Sequence, residues 1–205
     1  MCELPSFVRP KVPKRKAVKY ARDEFIAQLL PQCHDRLKVA VLLVSLTAAR
    51  ASEACRIEDS DIDWHTRHLT VRETKNGTPR VVAIADVLFD ALLPLRGRPG
   101  RLLGYATRYS LNQAIARACR RAGLPVLTSH KIGRHAFAAR LLGQGKTLKE
   151  VAVAGGWKST RMVDTIYGHL EQSSVDAAVR SAGTELTQLL QSAENVVNIR
   201  RLRNA

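Results

Sequence analysis

The stretch RLKVAVLLVSLT, residues 36–47, constrains the fold of this chain more than any other. It is apolar around its whole circumference when drawn as a helix, and such a helix is stable only when other elements cover it. The spacing predicts a core helix that ends before Ala48 and Ala49, with RASEACRI continuing as a second helical piece. Other segments supply the cover. DEFIAQLL reads as a short helix with both acids in its first turn, where they meet the positive end of the helix dipole. ADVLFDALLPL, YSLNQAIARACRRAG, RHAFAARLLGQG and TLKEVAVAGG read as further helices. Gly123 is a stop signal for the second of these and Thr147 an N-cap for the last.

HLTVRE and RVVAI have strand composition and flank Asn76-Gly77, a dipeptide that accepts the positive φ angles of a tight hairpin turn. The expected architecture is therefore mainly α with one small antiparallel β-sheet. Residues 1–19, rich in proline and bases, form an expected arm or linker. Residues 20–185 form the main domain, and residues 186–205 a C-terminal helix and basic tail. An earlier polar stretch, EQSSVD, reads as a hinge before the amphipathic TELTQLL.

Charge narrows the function. The 205 residues carry 33 Lys and Arg against 18 Asp and Glu, a formal net charge of +15. No acid falls between Asp90 and Glu150, where twelve Lys or Arg lie, and further basic clusters occupy both ends of the chain. Solvated surfaces usually mix signs, so this distribution points to a polyanion, with nucleic acid favoured. A membrane surface is the weaker alternative, because the bases lack a matching Trp/Phe/Leu stripe. No apolar run approaches the length of a membrane span, and the polar N-terminus does not resemble a signal peptide. Cys2, Cys33, Cys55 and Cys119 form no CxxC pair, and a metal site is not expected of them.

Several residues acquire a common chemistry once a polyanion is assumed. Arg50 stands three residues before Glu53. Lys75 stands at the hairpin turn. His130, Lys131, Arg134 and His135 fall within six residues. Trp157 offers an indole N–H, and Tyr167 a phenol oxygen. Each has a plain structural reading: an ion pair, a solvated turn lysine, a helix-face histidine, a core tryptophan, a packed tyrosine. As a set they suit phosphoryl transfer without a metal. Fixed cations and N–H donors stabilise the charge gained by a phosphodiester, and a side chain acts as nucleophile through a covalent intermediate.

These blocks resemble the tyrosine recombinases of the phage-integrase type, in order, over roughly residues 20–185. LTAARASEACRIEDSDID resembles T-G-x-R-x-x-E followed by D-I-D, and TKNGTPRVVAI resembles T-K-x-G-K-x-R-x-V. RHAFAARLLGQG resembles R-H-T-F-A-x-x-L-L-x-x-G, GGWKS resembles L-G-H-x-S, and IYGHL resembles I-Y-x-H-x. The resemblance implies that Tyr167 attacks a DNA phosphate to leave a 3′-phosphotyrosine. It gives Arg50 and Arg134 as clamps on the non-bridging oxygens and Lys75 as general acid for the leaving 5′-oxygen. Trp157 and Lys131 complete the shell.

Three departures bear on this. Ala48 replaces the family's glycine. Lys131 stands at the H-x-x-R histidine position, with His130 one residue earlier and Lys131 preferred. The Trp157-to-Tyr167 spacing is one residue longer than is common. The implied function is a site-specific recombinase or integrase acting on double-stranded DNA. The alternatives are type IB topoisomerase-like relaxation or non-catalytic DNA binding. No cofactor or metal is implied. Self-association on DNA through the C-terminal segment is expected, as is a cytoplasmic, nucleoid-associated location. Residues 1–19 are too few to form the N-terminal core-binding domain that the family usually carries.

Overall fold

Helix α2, Asp35–Thr47, is the axle of the fold, and nine of its thirteen residues are buried. The computed structural model describes residues 19–72 and 79–167. The expected basic arm up to residue 18, the hairpin tip with Lys75, and the expected C-terminal helix lie outside these residues. Around α2 pack α4 (Asp86–Leu92), α5 (Arg108–Arg121), α6 (Ala136–Gly143) and the one-turn α3 (Ala51–Ala54). Leu37, Val41, Leu43 and Val44 are at most 1% exposed. Each such burial stabilises by roughly 1.5–3 kcal/mol. Helix α1 (Asp23–Leu29) precedes α2 and is tied to α6 by Arg140, which donates to Asp23. The absence of a polar face predicted a covered helix, and the structure covers it.

The sheet is antiparallel, as expected, in the order β1 (Ile62–Asp63), β2 (His68–Val71), β3 (Arg80–Ala83). Val71 pairs with Arg80, so the last residue of β2 faces the first of β3. The two-residue β1 was not expected, since so short a strand carries no alternation to read. The segment RASEACRI forms a single helical turn rather than a longer helix. Thr147 caps α7 (Leu148–Gly155), accepting from the Glu150 N–H at 3.2 Å, as its position predicted. The last helix among the described residues, α8, covers residues 160–167.

Two features of the α2 surroundings set up the site. Ala48 ends α2 in the left-handed region, φ 54°, fully buried. The conformation costs an L-residue roughly 1–2 kcal/mol, yet the turn that a glycine would favour is kept. Beyond α5, residues Lys131–His135 form one π-helical turn that runs directly into α6. Gly133 lets this turn lie against α2. A Cβ there would sit 2.9 Å from the Val44 carbonyl oxygen.

Candidate active site

The carbonyls at the C-terminal end of α2 have no partners further along the helix, and arginines take them. Arg140 donates to the Ser45 carbonyl at 2.9 Å, Arg80 to Thr47 at 3.2 Å and Arg134 to Ala48 at 3.1 Å. The helix dipole favours cations at this end. An apolar helix thus organises a polar, cationic corner of the molecule.

Arg134 lies in the π turn and is 4% exposed. Its Nη1 also donates to the Gly155 carbonyl at 3.0 Å, and its guanidinium stacks on Trp157, 4.1 Å from the ring centroid. Among the described residues its Nε and Nη2 make no hydrogen bond, so the fork retains donors for a ligand. Burial lowers its pKa to about 10, with Arg50 and Arg80 adding in the same direction, and it stays charged at neutral pH. Arg80 and Arg134 bond the adjacent carbonyls of Thr47 and Ala48, and Arg50 shares Glu53 with Arg80, so three guanidinium groups crowd one corner. A dianionic or monoanionic oxygen group would relieve that crowding.

Arg50 is set by Glu53. Glu53 Oε2 accepts from the Arg50 N–H at 2.9 Å and from Arg80 Nη1 at 3.2 Å, while Oε1 accepts from Arg50 Nη1 at 2.5 Å. Glu53 is 3% exposed. Burial alone would raise its pKa, but the Arg50 hydrogen bonds and the Arg80 charge outweigh it, and the carboxyl is held below its ordinary range. Arg50 keeps a quarter of its side chain in solvent. It is an anchored cation with an open face.

Tyr167 ends the described part of α8 and is 2% exposed. It belongs to a small second core with Ala138, Leu142, Val151, Ala152 and Val163. Its hydroxyl bonds to Nδ1 of His135, itself 8% exposed. Burial raises the phenol pKa, opposed by the Arg134 charge. His130 stacks edge-on against His135 with centroids 4.3 Å apart. Burial first, and then the charges of Arg134 and Arg50, lower its pKa.

The structure therefore brings Arg50, Arg134, Trp157 and Tyr167 to one corner. Lys75 lies outside the described residues. Lys131 is half-buried and its charge acts on His135. The π turn bears on the choice between Lys131 and His130. Its wider i→i+5 bonding brings the residue four before Arg134 to the side that the residue three before occupies in an α-turn. Sequence reasoning passed over Arg80, although it stands inside the quoted TKNGTPRVVAI block, and gave His135 a plain helix-face reading.

This helical domain, with its three-stranded sheet and its corner of arginines beside a tyrosine, has the fold of tyrosine-recombinase catalytic domains. The phage integrase family matches over residues 19–174, and the chain belongs to that family. It is 24% identical over 204 residues to the tyrosine recombinase XerA of Pyrococcus furiosus, covering 93% of this chain and 66% of that protein. The catalytic domain of bacteriophage HP1 integrase superposes with a TM-score of 0.62 at 28% identity, covering 80% of this chain and 94% of that one. The XerH recombinase bound to a palindromic difH substrate shares the fold at a TM-score of 0.64 and 20% identity, with 80% and 53% covered. The chain spans 55% to 66% of the length of the first three curated relatives it matches. Among the described residues no helix is long and apolar enough to cross a membrane.

Proposed function

We propose that this chain is the strand-transferring unit of a site-specific recombinase acting on double-stranded DNA. The observation that carries the reading is the gathering of Arg50 and Arg134 around the C-terminal end of α2 with Tyr167 in electrostatic reach of Arg134. Arg50 and the free donors of Arg134 hold the non-bridging oxygens of the scissile phosphate. The Tyr167 hydroxyl gives up its proton to solvent as its oxygen attacks phosphorus, a P–O bond to Tyr167 forms and the bond to the 5′-oxygen breaks. Lys75 supplies the proton to that oxygen. A 5′-hydroxyl from a second strand then reverses the step and releases Tyr167. Charge stabilisation by preorganised donors is the main contribution expected of such a shell.

Trp157 acts through Arg134, whose guanidinium lies flat on its ring. For the position that H-x-x-R reserves for histidine, the π turn favours His130 over Lys131. His130 is within reach of the Arg50 and Arg134 charges. The basic stretch from 91 to 149 supports DNA as the partner, as does the difH complex of XerH, and a DNA-joining activity belongs at the nucleoid. Self-association through the residues after Tyr167 remains part of the proposal.

The test is covalent trapping on nicked suicide DNA, read on a denaturing gel. Wild type forms a protein–DNA band and Tyr167→Phe forms none. A band that persists in Tyr167→Phe removes Tyr167 as nucleophile. His130→Ala is expected to lower the trapping rate more than Lys131→Ala, and the reverse order returns the histidine role to Lys131.

A further inference from the structure

Tyr167 is buried to 2% exposure, too deep for a phosphate to approach its oxygen from the in-line direction. Its hydroxyl is nevertheless not without a partner, since it meets Nδ1 of His135. The two rings stand edge-on, 5.5 Å between centroids and 65° between planes. His135 is the last residue of the π turn and the immediate neighbour of Arg134. A buried phenol with no acceptor would lose roughly 1–3 kcal/mol, so this bond matters to where the ring rests. We infer that His135 is a positioning residue for Tyr167, its Nδ1 accepting a hydrogen bond from the phenol hydroxyl and holding the ring in a buried resting pose that attack on DNA must undo.

This inference rests on the reading of Tyr167 as nucleophile. It gives His135 a part that the cation shell does not contain. Three observations separate a hold from a proton acceptor in the reaction. The phenol proton stays on oxygen, because burial raises the pKa of Tyr167. The imidazole is a weak base here, lowered to about 4 by burial and by the charges of His130, Lys131 and Arg134. Transfer from such an acid to such a base is strongly uphill, so the pair rests as neutral phenol and neutral imidazole. Finally, the ring of Tyr167 is embedded in the small core with Val151 and Val163, which docks α8 on α6 and α7. Releasing the hydroxyl therefore means moving the end of α8. Arg134 links the two events, since one guanidinium lies beside His135 in the chain and within electrostatic reach of the phenol. A phosphate drawn to Arg134 arrives where the latch is held.

The experiment is O-acetylation of tyrosines by N-acetylimidazole in the full 205-residue chain without DNA, mapped by peptide mass spectrometry. Tyr109, 69% exposed, serves as the internal standard. In wild type, Tyr167 is expected to react far more slowly than Tyr109. In His135→Ala the Tyr167 rate rises roughly tenfold, as expected for loss of a buried hydrogen bond. In His135→Asn, whose Oδ1 can accept in place of Nδ1, protection returns, while Tyr105 and Tyr109 are unchanged in all three. Wild-type Tyr167 reacting as fast as Tyr109 overturns the inference without any variant. So does equal protection in wild type and a folded His135→Ala. Loss of protection in a folded His135→Asn assigns the hold to ring packing and also overturns it. On suicide DNA, His135→Ala is expected to trap at least as fast as wild type, and a hundredfold fall would make His135 part of the chemistry instead. The acetylation outcome stands even if no variant forms a DNA adduct, so failure of the recombinase reading and failure of the latch are told apart.

Discussion

Arg80 at the start of β3 reaches Glu53 across 3.2 Å, joining the sheet to the helical turn that carries Arg50. One buried carboxylate thereby serves two arginines, one of them, Arg80, 27 residues from it in the chain. The ladder pairs Arg80 with Val71, so the same contact also fixes the facing ends of β2 and β3.

Glu53→Ala is expected to leave two guanidinium groups near each other with no counter-charge. Breaking a buried ion pair by removing one partner costs about 3–5 kcal/mol. Arg50 is partly in solvent, so the lower end of that range is expected, measured as a shift in urea unfolding midpoint. A cost below about 1 kcal/mol would mean that the arginines are held by their carbonyl partners alone.

Gly155→Ala probes the support of Arg134. A Cβ at Gly155 would lie 1.7 Å from Cζ3 of Trp157, well inside contact distance. The indole must move, and with it the face on which Arg134 stacks. Overpacking of this kind costs roughly 1–3 kcal/mol. DNA trapping is expected to fall by more than tenfold in protein that remains folded by circular dichroism. Unchanged trapping would show that Arg134 does not need the indole.

Stability is expected to fall on mild acidification. In the folded chain His135 is pushed down from its ordinary 6.5 to about 4, by burial first and then by His130, Lys131 and Arg134. Below pH 6.5 the unfolded chain takes up a proton that the folded chain refuses until about pH 4. The stability due to the neutral imidazole is thus complete above pH 6.5 and is lost between 6.5 and 4. At about 1.4 kcal/mol for each tenfold difference in proton affinity, the loss is roughly 3 kcal/mol at most. His130 is lowered as well and acts with the same sign. His135→Asn should flatten the profile in this window, as followed by thermal unfolding between pH 4 and 7.5. A profile as steep as that of wild type would assign the acid loss to other groups.

DNA binding is expected to be dominated by charge. If the twelve Lys and Arg between residues 91 and 149 and the basic termini neutralise about six phosphates, log affinity against log salt should slope near −5. Fluorescence anisotropy at several salt concentrations measures it. A slope near zero would rule out phosphate contacts as the source of affinity.

Short-range rules made much of this chain legible from its residues. The apolar circumference of α2, the Asn76-Gly77 signal between β2 and β3, the Thr147 cap and the stop at Gly123 each depend on neighbours within a turn or two. The order of the blocks around Arg50, Arg134, Trp157 and Tyr167 was legible for the same reason, because each block is local. Tertiary structure decided what those blocks share. The π turn is one residue of extra chain absorbed against α2, and no periodicity in KIGRH announces it. Arg80 meets Thr47 across 33 residues, Arg134 meets Ala48 across 86, and His135 meets Tyr167 across 32. The two arginine contacts exist because burial of α2 folds its C-terminal carbonyls into the interior, where unpaired polar groups are costly and distant arginines satisfy them, and the His135 contact exists because α8 packs its phenol against α6 and α7.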